Sequence, residues 1–172
     1  MSALTYSWFM EARTLHAPLN ALSAATRPQG IEIATLTTFD IPALAVLTLE
    51  AYGDDVTPEA LLETSEELRL TFEGAFGATT EDSFVGAWDG GTLVGAILVV
   101  RESPWDDAPD DPFVVDLIVA PDYRRRGIAT ALVAEVAGRC ASWGFGSLAL
   151  RLDSRHGGAN ELYSVLGFEE IA

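Results

Sequence analysis

Residues Arg124-Arg125-Arg126-Gly127-Ile128-Ala129-Thr130 place cations, a glycine and a small-residue helix start directly behind the apolar run 113–119. Those residue types in that order suit a polyphosphate. A helix opening at Gly127 leaves its first N–H groups without intrahelical acceptors, and the positive end of its dipole adds to their attraction for an anion. Gly127 and Ala129 carry little bulk, so phosphate oxygens can approach the backbone, and glycine tolerates the dihedrals of a tight strand-to-helix turn. Asp116, the lone carboxylate in the apolar run, offers a second kind of chemistry. Burial there would raise its pKa toward the range of a useful base. A tie to a neighbouring backbone N–H or to an arginine is the competing role.

These groups need a strand, a loop and a helix in succession. Residues 113–119 are expected to form a central strand buried on both faces, and residues 127–143 a crossover helix whose Ala131, Leu132, Val136 and Cys140 share an apolar face. Residues 147–152 alternate and would lie parallel to the first strand through a right-handed connection. Upstream, residues 31–36 read as a half-buried strand, Asp40 as the cap of a helix ending near Gly53, and Thr57-Pro58 as the start of a helix to about Phe72. Residues 83–88 and 92–101 flank Asp89-Gly90-Gly91 as a hairpin. A short helix over 157–166 and a strand over 168–171 close the chain. Residues 1–30 differ in composition, with Glu11 as their one acidic residue, and are set apart as an N-terminal extension to a domain spanning 31–172. Within the extension, residues 5–10 suit a short strand and 14–25 a partly helical segment; a disordered leader is the alternative.

The spacing Arg124-x-x-Gly127-x-Ala129, with the preceding Leu117-Ile118-Val119-Ala120-Pro121, resembles the acyl-CoA-binding motif of the GCN5-related N-acetyltransferase (GNAT) family. A second block, Ala159-Asn160-Glu161-Leu162-Tyr163-Ser164-Val165-Leu166-Gly167-Phe168, is similar to that family's Ala-x-x-Leu-Tyr-x-x-x-Gly-Phe pattern. The resemblance implies an α/β (α+β) fold: a mixed, mostly antiparallel central sheet, helices on both faces, and a parallel β-α-β unit around the acyl-CoA site. It also implies acetyl-CoA as cosubstrate, with no metal required, and direct acetyl transfer to a primary amine. Arg124, Arg125, Arg126, Gly127, Ile128, Ala129 and Thr130 would hold the cosubstrate, with backbone groups of Leu117, Ile118 and Val119 along its pantetheine arm. One amide on that strand would polarise the acetyl carbonyl, and Tyr163 would be the acid for the departing thiolate. Asp116, beside the thioester, becomes the candidate base, with Glu102 and water behind it. Where the family often has an asparagine three residues before the motif's alanine this chain has His156, so Asn160 is the alternative contact to the arm. The family usually adds a further strand after the Gly-Phe pair. A stretch of the N-terminal extension such as residues 5–9, or a partner subunit, is expected to cover the exposed edge, which leaves a homodimer open. A non-catalytic acyl-CoA-binding or regulatory module is the alternative function.

Composition narrows the partners. With 172 residues the chain suits one domain, and its single cysteine, Cys140, excludes an intrachain disulfide and a thiolate metal cluster. All ten basic residues are arginines against 26 carboxylates, a net charge of −16. Residues 1–123 hold 4 arginines against 21 carboxylates, while residues 124–172 hold 6 against 5. Lacking a wider basic surface, the triple arginine does not read as a nucleic-acid contact. The segregated charge fits a later half that grips an anion and an earlier half that presents carboxylates to a cationic small-molecule or peptide amine. Asp54, Asp55, Glu59, Glu63, Glu66, Glu67, Glu73 and the pairs Asp106-Asp107 and Asp110-Asp111 form that surface; solubility is its plainer explanation. No apolar run approaches bilayer length and the first residues lack a secretory pattern, so a cytoplasmic protein without membrane contact is expected.

Overall fold

A computed structural model describes residues 13–22, 26–102, 110–152 and 159–171. Its strands are β1 (Arg13–Pro18), β2 (Ile31–Thr35), β3 (Phe84–Asp89), β4 (Thr92–Val100), β5 (Phe113–Val119), β6 (Ser147–Leu152) and β7 (Glu169–Glu170). The helices are α1 (Leu19–Leu22), α2 (Ile41–Tyr52), α3 (Pro58–Phe72), α4 (Ile128–Ser142) and α5 (Ala159–Leu166), with 3₁₀ turns at Thr38–Asp40 and Pro121–Tyr123. The sheet runs β2-β3-β4-β5-β6-β1-β7, with β5 and β6 parallel and every other pair antiparallel. This is the mixed, mostly antiparallel sheet the motifs imply. No helix among the described residues is long and apolar enough to cross a membrane.

Two apolar layers sandwich the sheet. On one face α1, α4 and α5 bury Leu22, Leu132, Val136, Cys140 and Tyr163 against β1 and β3 to β6; on the other, α2 and α3 bury Leu44, Leu47 and Leu68 against Phe84, Ala96 and Leu98. Helix α4 sits close because β4 offers it Gly95: a Cβ there would lie 2.9 Å from the Ile128 Cγ2. Arg139 fastens the far end of α4 to the sheet, donating to Thr35 Oγ1 at 2.8 Å and to the Asp82 carbonyl at 2.9 Å.

Local signals place most elements. Thr57 caps α3 by accepting from the Ala60 N–H at 3.1 Å, and α2 stops at Gly53 in the left-handed region, φ 74°. Asp40 departs from its expected role. Its carboxylate accepts from the Thr37 N–H at 2.8 Å, closing the 3₁₀ turn before α2 rather than capping α2 itself.

Three segments differ from the sequence reading. Residues 14–25, expected to be partly helical, contain strand β1 and one turn of helix. Leu15 and Ala17 alternate inward, and pairing with β6 over Arg13↔Leu152 to Pro18↔Ser147 overrides a weak helical pattern. This strand also covers the edge of β6 that seemed to need a partner, while residues 5–9 lie outside the described residues. Strand β5 is not buried throughout: Phe113, Val114 and Ile118 are, but Val115, Asp116, Leu117 and Val119 are half-exposed. The last strand shrinks to Glu169–Glu170, held by β1 and by Ile171 N–H on the Thr14 carbonyl at 2.9 Å.

Candidate active site

Half-exposure of β5 follows from how its two edges are used. Toward β4, pairing continues to Gly95↔Val119, whereas toward β6 it comprises Phe113↔Ala149 and Val114↔Leu150. Beyond that point β6 stays with β1, β5 stays with β4, and the two part. A β-bulge falls at the divergence: Val99 faces Val114 and Leu98 faces Asp116, so Val115 is the extra residue. A bulge bends its strand and re-aims the adjoining side chains. The parting opens a cleft of about 520 Å³ lined by Leu117, Ile118, Val119, Arg124, Arg125, Gly127, Ile128, Ala129, Thr130 and Tyr163, together with Ala51, Tyr52, Tyr123 and Leu162.

One wall of the cleft is the turn into α4. Its first helical hydrogen bond runs from the Ala131 N–H to the Gly127 carbonyl at 3.0 Å, so the N–H groups of Ile128, Ala129 and Thr130 precede any intrahelical acceptor. Gly127 has φ 83° and Arg125 φ 62°. Glycine adopts that region freely, while for arginine it is a strained conformation worth about 1–2 kcal/mol. Such a turn concentrates outward-facing N–H groups at the positive end of the helix. The guanidinium of Arg124 is committed to protein carbonyls: Nε donates to Val119 at 3.1 Å and Nη2 to Ala51 at 2.6 Å. Arg126 stacks over the Tyr123 ring at 4.9 Å, and the Tyr123 hydroxyl donates to Asp89 at 2.6 Å. That hydrogen bond to Asp89 is the main reason Tyr123 holds its proton above the ordinary tyrosine range.

At the bulge, Tyr52 Oη donates to Asp116 Oδ1 at 2.6 Å. Opposite, Tyr163 of α5 is 6% exposed and packs edge-on against Phe168 with ring centroids 5.4 Å apart. Burial, and behind it the negative charge of Asp116, pushes the Tyr163 hydroxyl well above the ordinary value. A protonated phenol thus shares one cleft with a row of N–H donors, and a carboxylate close enough to act on it lies on the adjoining strand.

Other sequence candidates lie elsewhere. Asn160 is in the first turn of α5, and His156 and the Asp106-Asp107 pair are outside the described residues. Glu102 is exposed just past β4, away from the cleft lining. Asp54, Asp55, Glu59, Glu63, Glu66 and Glu73 are exposed and Glu67 is half-buried, as a solvated face would be. The sequence reading missed Tyr52, Tyr123, Ala51 and Leu162. Leu162 is legible as the neighbour of Tyr163 in its motif, and Tyr123 as part of the arginine loop. For Tyr52 the one local signal is a phenol at the end of a helix whose other polar residues are Thr48 and Glu50.

The model of the acetyltransferase (GNAT) family matches residues 46–168. Among solved structures, the chain is similar to a GCN5-related N-acetyltransferase from Sphaerobacter thermophilus, at 23% identity and TM-score 0.66, over 93% of this chain and 48% of that one. The ribosomal-protein-S18-alanine N-acetyltransferase from Escherichia coli is similar at 20% identity and TM-score 0.61, over 83% and 79%. The aminoglycoside N-acetyltransferase AAC(6')-Iy in complex with CoA is similar at 20% identity and TM-score 0.62, over 86% and 93%. The chain therefore spans about half the length of the Sphaerobacter protein. Sequence comparison with curated proteins found no match.

Proposed function

The chain belongs to the acetyltransferase (GNAT) family, and from that premise we propose that it moves an acetyl group from acetyl-CoA directly to a primary amine. One observation carries the reading: the N–H row opening α4 and the pair formed by the cleft-lining Tyr163 and Asp116, whose charge it feels, lie together where β5 parts from β6. A diphosphate needs the first, and thioester aminolysis needs the second.

In this mechanism the N–H groups of Gly127 to Thr130 hold the diphosphate, and the open edge of β5 beyond Val114 offers backbone groups to the pantetheine arm. An N–H on that edge steadies the acetyl oxygen as negative charge grows on it; such a preorganised donor is worth about 10²–10³ in rate. Asp116 takes a proton from the incoming ammonium, so that nitrogen attacks as a neutral amine. The C–N bond forms, the attacking nitrogen releases its second proton to solvent, the C–S bond breaks, and Tyr163 gives its proton to the departing sulfur. Burial keeps that proton on Tyr163 until then. Once Asp116 is protonated its charge no longer opposes ionisation of the phenol, so uptake at one residue eases release at the other. Solvent then takes the proton from Asp116 and returns one to Tyr163.

For the acceptor, a cationic small molecule or a basic peptide amine fits best, because the exposed carboxylates Asp54, Asp55 and Glu59 follow Tyr52 at the rim. A thiol-release screen with acetyl-CoA against polyamines, aminoglycosides, amino acids and peptides tests this. Amide product from a cationic amine is the expected result. Acetyl-CoA bound without thiol release across the panel would instead make the chain a non-catalytic acyl-CoA-binding module. With an acceptor in hand, Asp116→Asn is expected to lower turnover about 100-fold and to flatten its rise with pH, leaving acetyl-CoA affinity unchanged. An unaltered pH profile would remove Asp116 from the mechanism.

A further inference from the structure

We infer that Tyr52 is a positioning residue for the Asp116 carboxylate, and that the arginine loop sets it in place through Arg124. The inference rests on the reading of Asp116 as base and adds a residue that neither motif contains. Tyr52 is the last residue of α2, and the chain around it is fixed from both directions. After it, Gly53 turns left-handed and returns its N–H to the Glu50 carbonyl at 3.2 Å, while the Asp54 N–H reaches the Leu49 carbonyl at 2.9 Å. Before it, the Ala51 carbonyl accepts from Arg124 Nη2 at 2.6 Å, and the same guanidinium holds the Val119 carbonyl at the end of β5 at 3.1 Å. One side chain thus ties the strand carrying Asp116 to the helix end carrying Tyr52, and it is the first residue of the loop that faces the cosubstrate.

The hydroxyl is suited to this work. Asp116 follows the bulge residue Val115, where the strand bends and re-aims its side chains. A donor 2.6 Å from Oδ1 selects one orientation. An arginine donor would neutralise the carboxylate it held, whereas a tyrosyl hydroxyl fixes one oxygen and leaves the charge for proton abstraction. Tyr52 also lines the cleft, so its hydroxyl connects the cleft wall to Asp116.

The test does not require the acceptor. Protein labelled with [γ-¹³C]aspartate is titrated by NMR, with the Asp116 signal assigned by its loss in Asp116→Asn. Because a hydrogen bond donated to a carboxylate favours its ionised form, the Asp116 signal in Tyr52→Phe is expected to titrate about one pH unit higher than in the unsubstituted protein. Acetyl-CoA affinity by calorimetry should stay nearly unchanged, since the ring remains, while by linkage the melting temperature should fall by a few degrees at neutral pH and recover below the Asp116 midpoint. A merely structural tie would lower the melt equally at every pH and leave the midpoint; an unmoved midpoint overturns the assignment. If the unsubstituted protein takes up no acetyl-CoA, the acyl-transfer reading fails whatever the midpoint does. If it binds and the midpoint is fixed, the role of Tyr52 alone fails.

Discussion

The two sides of the sheet are built by different rules. On one side β2, β3, β4 and β5 are adjacent in space in the order in which they occur in the chain, and β3 and β4 are joined by the two-residue turn Gly90-Gly91. On the other, β6 pairs with β1 across 129 to 139 residues of chain, and β7 completes the edge with two residues. The first side assembles from neighbours and the second from the two ends of the chain. Where they meet, a short parallel pairing gives way to a cleft. A site at that seam depends on both sides without belonging to either, which is why its proposed base lies on β5, its proposed acid on α5 and its proposed positioning residue on α2.

The sharpest way to break the comparison is to disable one side. Ala17 is fully buried in β1, and Ala17→Asp would place an unpaired charge among Leu148, Leu150 and the α4 side chains. A loss of about 3–5 kcal/mol is expected, seen in urea melts as one early transition if the sides fold as a unit. A surviving second transition from β2 to β5 would show that they do not. A smaller effect is expected from Gly127→Ala, which tests the seam alone. Its φ of 83° costs alanine about 1 kcal/mol, and displaced N–H groups should weaken acetyl-CoA binding about tenfold by calorimetry. Unchanged affinity would mean that the turn into α4 is not where the diphosphate sits.

Smallest is the effect of Cys140, buried beneath α4 on the face that joins both sides. Burial, and then the charge of Asp82, pushes its thiol up to about 12, above its ordinary 9.0. Unfolding lets the thiol ionise first, so the folded state loses stability as pH rises from about 9 toward about 12 and is unaffected below. The drop in stability between about pH 8 and about pH 10 should be roughly 1 kcal/mol smaller in Cys140→Ala, read from urea melts at each pH. An identical drop in both proteins would mean that the thiol meets solvent in the folded state.

Much of the molecule was legible residue by residue. Thr57-Pro58 announced α3, Gly53 ended α2, and Gly90-Gly91 made the hairpin, because caps and turns are decided by backbone groups within a few residues. The motif around Gly127 was legible for the same reason, since the positive φ and the leading N–H groups are local properties of the turn. Strand β1 was not. Its Leu15 and Ala17 alternate over too few residues to outweigh their neighbours, and the pairing that makes them a strand is with Leu150 and Leu148, far along the chain. The half-exposure of β5 was hidden likewise, because an apolar run does not say that one of its edges loses a partner halfway. Asp116 was singled out as an oddity of its strand, but its hydrogen bond to Tyr52 joins residues 64 apart and left no trace in spacing.

The sequence by itself determined the turn that can take a diphosphate, the family motifs, and the helices that flank them, since each needs only contiguous residues. Tertiary structure alone decided that β5 and β6 part after two pairs, that the N-terminal strand fills the far side of that seam, and that Tyr163 lines one cleft with Tyr52, the hydrogen-bond partner of Asp116. Such placements are set by which distant segments satisfy each other's backbone hydrogen bonds and apolar faces. That competition is settled over the whole chain at once.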